Sequence, residues 1–205
     1  MVFIIYNDIM IKKHLNNQLT SLSYLIKNID FKKTEKLLDD CINTVKKNKQ
    51  IITSALGKNV PICEKFIGTL NSVGIDGHFV HTNSAIHGDL GIINKGDLVI
   101  LLSKSGNTEE TLNLAKIISN LKIKTWLITS NNKAKTKQFV NNTLILPITN
   151  EGDPWNLIPN NSTISFLFFL QALAMTIIEK FNIPIEIFKR NHPGGDIGKK
   201  LEKIR

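Results

Sequence analysis

The sequence predicts a three-layer α/β protein, in which helices cover both faces of a five-stranded parallel sheet. Short apolar runs recur along the chain, and longer segments with helical periodicity separate them. Strands that alternate with helices of about 10–15 residues are typical of βαβ units, which build parallel sheets. The chain has 205 residues, of which 42% are hydrophobic and 21% charged. These values suit one compact globular domain with a large core.

Two helices are predicted ahead of the sheet. Apolar residues recur at helical spacing over residues 9–28 and again over 33–46, with a turn near Asn28-Ile29-Asp30. We expect residues 1–48 to form these helices and 49–205 to form the sheet and catalytic core of a single domain, 1–205. The helices would pack on the sheet or on a partner subunit.

The sheet itself is predicted from runs that are apolar almost throughout, as strands buried on both faces are. These runs cover residues 50–56, 77–81, 97–102, 124–129 and 142–147. Helices are predicted at residues 61–73, 109–121 and 162–181. The apolar stretch 164–178 of the last helix is shorter than the roughly 18–20 residues of a membrane span. We therefore interpret it as a core or oligomer-interface helix and expect no membrane association.

Charge and cysteine usage narrow the class of protein further. The net charge is +9, but the lysines are scattered, and the densest run, residues 46–49, has no interleaved aromatic residues. This favours a solvated surface that attracts an anionic substrate over a nucleic-acid partner. Cys41 and Cys63 form no C-x-x-C pair, so we expect a reducing, cytoplasmic location, without a disulfide framework or zinc ribbon.

A phosphate-binding loop is predicted after the clearest strand, where the chain reads Ser103-Lys104-Ser105-Gly106-Asn107-Thr108-Glu109-Glu110. Ligands of doubly wound sheets bind beyond the carboxyl ends of the strands. Ser103, Ser105 and Thr108 supply hydroxyls, Gly106 permits a tight turn, and the next helix begins with free N–H groups that favour an anion. From the spacing alone, an ordinary helix cap explains these hydroxyls equally well.

Other polar residues follow predicted strands or turns. Lys58 follows the first strand, His81 and His87 follow the second, and Glu151 follows the fifth. His192 precedes Pro-Gly-Gly, and histidine is a residue type suited to acid–base work near neutral pH. Each also has an ordinary interpretation, as a solvated lysine, a polar loop or a structural histidine. Two histidines without a third ligand do not predict a zinc site.

Three strings of residues occur together in a known family. They are S-x-S-G-x-T-x-E at residues 103–110, H-G-D-L-G at 87–91, and N-H-P-G-G-x-I-G at 191–198. On these motifs, the chain from about residue 48 to 202 resembles the sugar isomerase (SIS) domain and, within it, the D-arabinose 5-phosphate isomerases. The last two strings are more specific to that branch than the first is.

The resemblance implies an SIS fold in dimers or tetramers whose active sites are shared between subunits. It implies reversible conversion of D-ribulose 5-phosphate to D-arabinose 5-phosphate, a precursor of the octulosonate sugar of lipopolysaccharide or capsule. The functional residues of the family match here Lys58, Glu110, Glu151 and His192. Substrate contacts of the family match Gly74, His81 and His87.

The expected mechanism moves a proton between C1 and C2 through an enediol. Ser103, Ser105 and Thr108 would bind the phosphate, and either Glu110 or Glu151, its pKa raised by partial burial, would be the base. His192 would shuttle protons between the sugar oxygens and Lys58 would stabilise negative charge. The hydrogen moves as a proton, so no cofactor or catalytic metal is expected, and zinc held by His81 or His87 would inhibit.

Two departures from the family pattern bear on these expectations. The family usually has G-K-S-G after the first strand, where this chain has Gly57-Lys58-Asn59-Val60, so a reshaped loop and a shifted substrate preference are expected. Longer relatives also carry CBS regulatory modules, which we do not expect here. The alternatives are another phosphosugar isomerase of the family, acting for example on a hexulose 6-phosphate, or a non-catalytic phosphosugar sensor.

Overall fold

The computed structural model describes the backbone of residues 2–203 and the side chains of residues 10–203. The ends of the expected domain, residues 1, 204 and 205, lie outside the described residues. Within residues 2–203 the strands are β1 (Ile51–Ala55), β2 (Gly77–His81), β3 (Leu98–Leu102), β4 (Lys124–Thr129) and β5 (Asn142–Ile145). The α-helices there are α1 (Val2–Asn28), α2 (Phe31–Lys46), α3 (Val60–Ser72), α4 (Thr82–Ala85), α5 (Glu109–Asn120), α6 (Asn161–Phe181), α7 (Ile185–Asn191) and α8 (Gly195–Glu202).

The five strands form one parallel sheet in the order β2-β1-β3-β4-β5, which confirms the predicted fold class. β1 and β3 are buried along their whole length because helices cover both faces. Alternate residues of β3 point to opposite faces of the sheet and therefore pack in different hydrophobic clusters. Leu98, Ile100 and Leu102 pack with α2, α3 and α6, whereas Val99 and Leu101 pack with α5.

An ion pair with a buried aromatic partner ties α2 to the sheet. The fully buried indole of Trp126 donates to Asp40 at 2.9 Å, and Lys124 pairs with the same carboxylate at 2.6 Å. The start of α2 is set locally, because Asp30 accepts a hydrogen bond from the Lys33 N–H at 3.0 Å as an N-cap. The predicted turn between the two N-terminal helices is thereby confirmed.

The structure departs from the prediction at several element ends and in the last 20 residues. Helix α1 begins at residue 2 instead of 9, and β5 ends at Ile145. Helices α4, α7 and α8 were not predicted. They have 4, 7 and 8 residues, too few to show a helical period, and α7 is held by packing on the end of α3.

Helix α6 confirms the helix predicted at residues 162–181 and begins one residue earlier, at Asn161. It has 21 residues and contains a window with a mean hydropathy of 1.6, enough by length and composition to cross a membrane. Buried residues of one face, including Phe166, Leu170 and Ile177, lie in the core beside the sheet. Leu167, Phe168 and Met175 are exposed on the rest of the helix. The structure therefore shows a core helix with an additional apolar surface.

Candidate active site

The candidate site lies where the strand order reverses, at the carboxyl ends of β1 and β3. These strands are neighbours, and their last residues, Ala55 and Leu102, pair in register. The loops that follow them therefore emerge side by side, at the position where doubly wound sheets bind ligands. One loop carries Lys58 in a short 3₁₀ helix, and the other is the segment Ser103–Thr108, called here the phosphate loop.

The phosphate loop presents two exposed hydroxyls at the start of α5. Ser105 and Thr108 are exposed, whereas Ser103 is buried and its Oγ accepts the Gly106 N–H at 3.1 Å inside the loop. Thr108 occupies the N-cap position of α5, yet among residues 2–203 its side chain makes no capping hydrogen bond. The first N–H groups of a helix have no intrahelical partners. The geometry thus favours an anion site over an ordinary cap, with Ser103 shaping the loop.

The segment after β4 holds the phosphate loop in place. Gly106 has φ +58°, and a Cβ built on it would lie 2.5 Å from the Cβ of Ala134. The Gly106 carbonyl accepts from both the N–H and the hydroxyl of Thr136, at 3.1 and 2.8 Å. The Asn131 amide donates to the Ser105 carbonyl at 2.8 Å. These contacts fix the backbone before any ligand binds. Sequence reasoning missed them because their partners lie 26 to 30 residues apart.

Glu151 is the most enclosed acid of the candidate set. Its side chain is fully buried after β5, and its carboxylate accepts from the Ser162 hydroxyl at 2.6 Å and from the N–H groups of Ser162 and Asn160, both at 2.9 Å. Lys104 of the phosphate loop completes the set, with Nζ 2.5 Å from Oε1. Glu151 thereby connects the phosphate loop to the beginning of α6.

The expectation of a raised pKa is wrong for Glu151. Burial alone would raise the pKa of this carboxyl, but the Lys104 ammonium and the donors at the start of α6 outweigh burial and hold its pKa below the ordinary value. Glu151 is therefore a carboxylate at neutral pH. Glu110 is exposed in the first turn of α5, beside the phosphate loop.

His81 and His87 lie at the same end of the sheet as the phosphate loop, the end formed by the carboxyl ends of the strands. His81 ends β2 half-buried, and its Nδ1 accepts from the Asn83 N–H at 3.3 Å. His87 is exposed after α4. The described side chains, those of residues 10–203, include no group of three or more His, Cys, Asp or Glu placed to hold a metal ion. Both histidines remain candidates for contact with a substrate.

Gly74 and His192 lie at the opposite end of the sheet, where the strands begin. Gly74 ends α3 with φ +80°, and the Gly74 and Ile75 N–H groups bond back to Asn71 and Leu70, so the glycine terminates a helix. The Asn191 amide donates to the Ser72 carbonyl at 3.2 Å, which places the His-Pro-Gly-Gly segment at that end too. Helix α6, which runs between the two ends of the sheet, is roughly 30 Å long. Within one chain neither residue joins the phosphate loop, so their assignment to the same site as Lys58 and Glu110 stays a prediction that needs a second copy of the chain.

Val60, at the position where the family usually has glycine, adopts a backbone conformation that does not require glycine. Val60 begins α3 with φ −55° and ψ −59°, a right-handed helical conformation that any residue adopts. Lys58 is exposed and lines an open groove of about 600 Å³ with Pro61, Lys65 and Thr163, between the starts of α3 and α6. The backbone at Val60 is thus one that glycine could also adopt, and the shifted substrate preference stays a prediction.

Comparison with known proteins follows the same motifs. The SIS domain profile matches residues 44–176. Arabinose 5-phosphate isomerase KdsD of Francisella tularensis is 32% identical over 200 residues, which are 95% of this chain and 61% of that protein. Arabinose 5-phosphate isomerase KpsF of Escherichia coli is 33% identical over 93% of this chain and 58% of its own length. The chain thus spans about three fifths of the length of these relatives.

A solved structure shares nearly the whole fold. The Escherichia coli CFT073 protein c3406, in complex with arabinose 5-phosphate, superposes with a TM-score of 0.84 and 26% identity over 90% of this chain and 96% of that one. The family profile covers more than half of the chain and includes the whole phosphate loop. This chain belongs to the SIS domain family.

Proposed function

We propose that this protein is an aldose–ketose isomerase that interconverts D-ribulose 5-phosphate and D-arabinose 5-phosphate. The observation that carries the proposal is the phosphate loop, whose exposed Ser105 and Thr108 hydroxyls and uncapped helix start lie at the switch point of the sheet. The relatives KdsD and KpsF are arabinose 5-phosphate isomerases, and c3406 was solved with arabinose 5-phosphate. These likenesses favour a five-carbon sugar phosphate over other anions.

In the proposed reaction one proton moves between carbons and one between oxygens. A glutamate takes the C1 proton of the ketose, the C–H electron pair forms the C1–C2 double bond, and negative charge develops on O2. The same group returns a proton to C2, while O1 loses its proton and O2 gains one. Glu110 and Glu151 are the candidate bases, and Lys58 would stabilise the charge on O2.

His192 is assigned to the oxygen proton transfers, and its position makes the proposed site a shared one. Since His192 lies at the far end of its own sheet, it would have to act in the site of a second copy. Apolar surface is present for such an assembly. Ile11, Leu15 and Leu19 form an exposed stripe on α1, each about 60% exposed. An apolar groove of about 300 Å³ also lies between the α1–α2 turn and α6. We therefore propose a homo-oligomer, a dimer or tetramer.

A substrate panel tests the activity. Purified protein should convert ribulose 5-phosphate to arabinose 5-phosphate, and a Ser105→Ala/Thr108→Val variant should lose at least about tenfold in kcat/KM because its phosphate donors are gone. Turnover of a hexulose 6-phosphate in preference to the pentulose would reassign the substrate. Binding of sugar phosphates without any turnover would mark a sensor instead of an enzyme.

Subunit mixing tests the shared site. Glu151→Gln and His192→Ala should each be impaired alone, by about 10²–10⁴-fold for a general acid or base. When the two variants are co-expressed with different tags, the sample should regain about a quarter of wild-type activity. Half of the molecules of a symmetric dimer are then mixed dimers, and each of these has one intact site out of two. Mixed oligomers as inactive as the parent variants would contradict a site shared between subunits.

We further propose a cytoplasmic location and a role in lipopolysaccharide or capsule synthesis.

A further inference from the structure

Lys104 stands between the two serines of the phosphate loop but turns its side chain toward Glu151. Its ammonium lies 2.5 Å from Oε1, and 43% of the lysine side chain is exposed while the Glu151 side chain has no exposed surface. Lys104 is therefore the partly exposed member of the pair. A substrate atom that is to take the place of the ammonium beside Oε1 requires Lys104 to move away.

The other partners of Glu151 are fixed in place. The Ser162 N–H, the Asn160 N–H and the Ser162 hydroxyl all belong to the start of α6 and are held by its backbone. Lys104 alone among these four donors reaches the carboxylate through a long, flexible stem that is partly in solvent. It is thus the partner that can exchange.

A competing anion would bind next to the backbone of Lys104. Ser105 is the next residue, and Thr108, four residues after Lys104, occupies the N-cap position of α5. A phosphate dianion attracts an ammonium about twice as strongly as a carboxylate does at equal distance and dielectric constant. Bound phosphate and Glu151 would therefore compete for one lysine.

We propose that Lys104 is a substrate-responsive positioning residue, which leaves Glu151 for the bound phosphate and so frees the carboxylate that takes the C1 proton. The proposal rests on the proposed isomerase function and deepens it, because it selects Glu151 over Glu110 as the base. In the free protein, Lys104 keeps Glu151 paired. The glutamate is freed only when the phosphate of a substrate has arrived.

The exchange also changes how strongly Glu151 binds a proton. Burial remains when Lys104 departs, so the pKa of Glu151 rises and the group becomes a stronger base. The other ionisable groups nearby are Asp153 on the same loop and Lys13 and His14 of α1. These line a cavity of about 480 Å³ with Asn150 and Gly152. The proposed exchange moves the charge of Lys104 and of none of these groups.

The test follows the ionisation of Glu151 directly, without relying on turnover. Full-length protein labelled with ¹³C at the glutamate carboxyl carbons is titrated by NMR, with the Glu151 signal assigned from Glu151→Gln. Sulfate serves as the probe because it stays doubly charged over the range in which carboxylates titrate, and chloride at equal ionic strength controls for screening. Backbone amide shifts of Ser105 and Thr108 report binding to the loop.

With sulfate, the Glu151 midpoint of the wild type should move up by about one to three pH units. In Lys104→Met it should already be high and should ignore sulfate, whereas Lys104→Arg should keep the low midpoint of the free protein. Lys133→Met, which removes an exposed lysine at the same end of the sheet, should behave like the wild type. The wild-type comparison does not use Lys104→Met, so poor folding of that variant leaves the test intact.

Two results would overturn the proposal in different ways. If the Ser105 and Thr108 amides respond to sulfate while the Glu151 midpoint stays in place, Lys104 is a fixed partner and only the exchange is wrong. If those amides do not respond at any sulfate concentration, the loop is not an anion site. The proposed function then loses its main support together with the exchange.

Discussion

Replacing Gly106 with alanine perturbs the phosphate loop at its tightest point. The glycine adopts φ +58°, a left-handed conformation, and the built Cβ would lie 2.5 Å from the Ala134 Cβ and 3.3 Å from the Thr129 hydroxyl. Ala134 is 5% exposed and packs in the core between the sheet and α5. Because it has no flexible end that could swing away, the backbone of one of the two segments must move.

The cost can be estimated from two independent contributions. A non-glycine residue in the left-handed region costs about 1–2 kcal/mol, and overpacking a tight contact costs about 1–3 kcal/mol. Gly106→Ala should therefore lower the free energy of unfolding by about 2–5 kcal/mol. In a protein of this size, this corresponds to a fall in Tm on the order of 10 °C.

The matched control is Gly57→Ala. Gly57 has nearly the same dihedral, φ +57°, but a Cβ there would meet no described atom within 4 Å, so only the conformational cost of about 1–2 kcal/mol applies. Urea unfolding of both variants isolates the steric part. Equal destabilisation of the two variants would refute the close approach of Gly106 and Ala134, and with it the account of how the phosphate loop is held.

Three further predictions concern stability. Asp40→Ala should cost about 2–3 kcal/mol in urea unfolding because the buried Trp126 indole N–H loses its acceptor; a loss below about 0.5 kcal/mol would contradict this. Gly68→Ala, in the exposed interior of α3 with open space around it, should stabilise by about 0.5–1 kcal/mol, and a lower Tm would count against it. Glu151 has a lowered pKa in the folded state, so its stabilising contribution is present above the unfolded value of about 4.3 and is lost as pH falls through the folded value. The Tm difference between wild type and Glu151→Gln should therefore shrink below about pH 4, and a difference that grows there would contradict the assigned shift.

The sheet and its long helices follow from local sequence patterns. Strands β2 and β4 begin and end where predicted, and α5 begins at the predicted residue. Strand β4 is buried at all but its first residue, and α5 is buried along one face, so their periodicity carries the signal. The short helix α7 carries little such signal, because its position depends on contacts with the end of α3.

The sequence indicates the loops that follow strand ends, but not the contacts between residues far apart in the chain. The loop with Lys58 and the phosphate loop emerge side by side because β1 and β3 are neighbours, a strand order that the alternation of strands and helices does not fix. The Lys104–Glu151 pair joins residues 47 positions apart, and no local pattern announces it. A buried glutamate that needs a cation was the available signal, since unpaired buried charges are rare.

Gly74 and His192 illustrate a different limit. Their roles were carried over by resemblance, which matches residues but does not say which copy of the chain supplies them. Gly74 is explained within one chain as the residue that ends α3. His192 packs on Phe188, with ring centroids 4.0 Å apart, at the end of the sheet away from the phosphate loop. Only the three-dimensional structure distinguishes a residue with a structural role in its own chain, such as Gly74, from one that would act in a second copy, as proposed for His192.

The central claim, an isomerase that works by proton transfer through an enediol, is tested most directly by NMR in D₂O. Ribulose 5-phosphate incubated with the protein should yield arabinose 5-phosphate that carries deuterium at C2, because the base exchanges its proton with solvent before returning it. Formation of ribose 5-phosphate, or recovery of unchanged ribulose 5-phosphate with no deuterium at C1, would contradict the account.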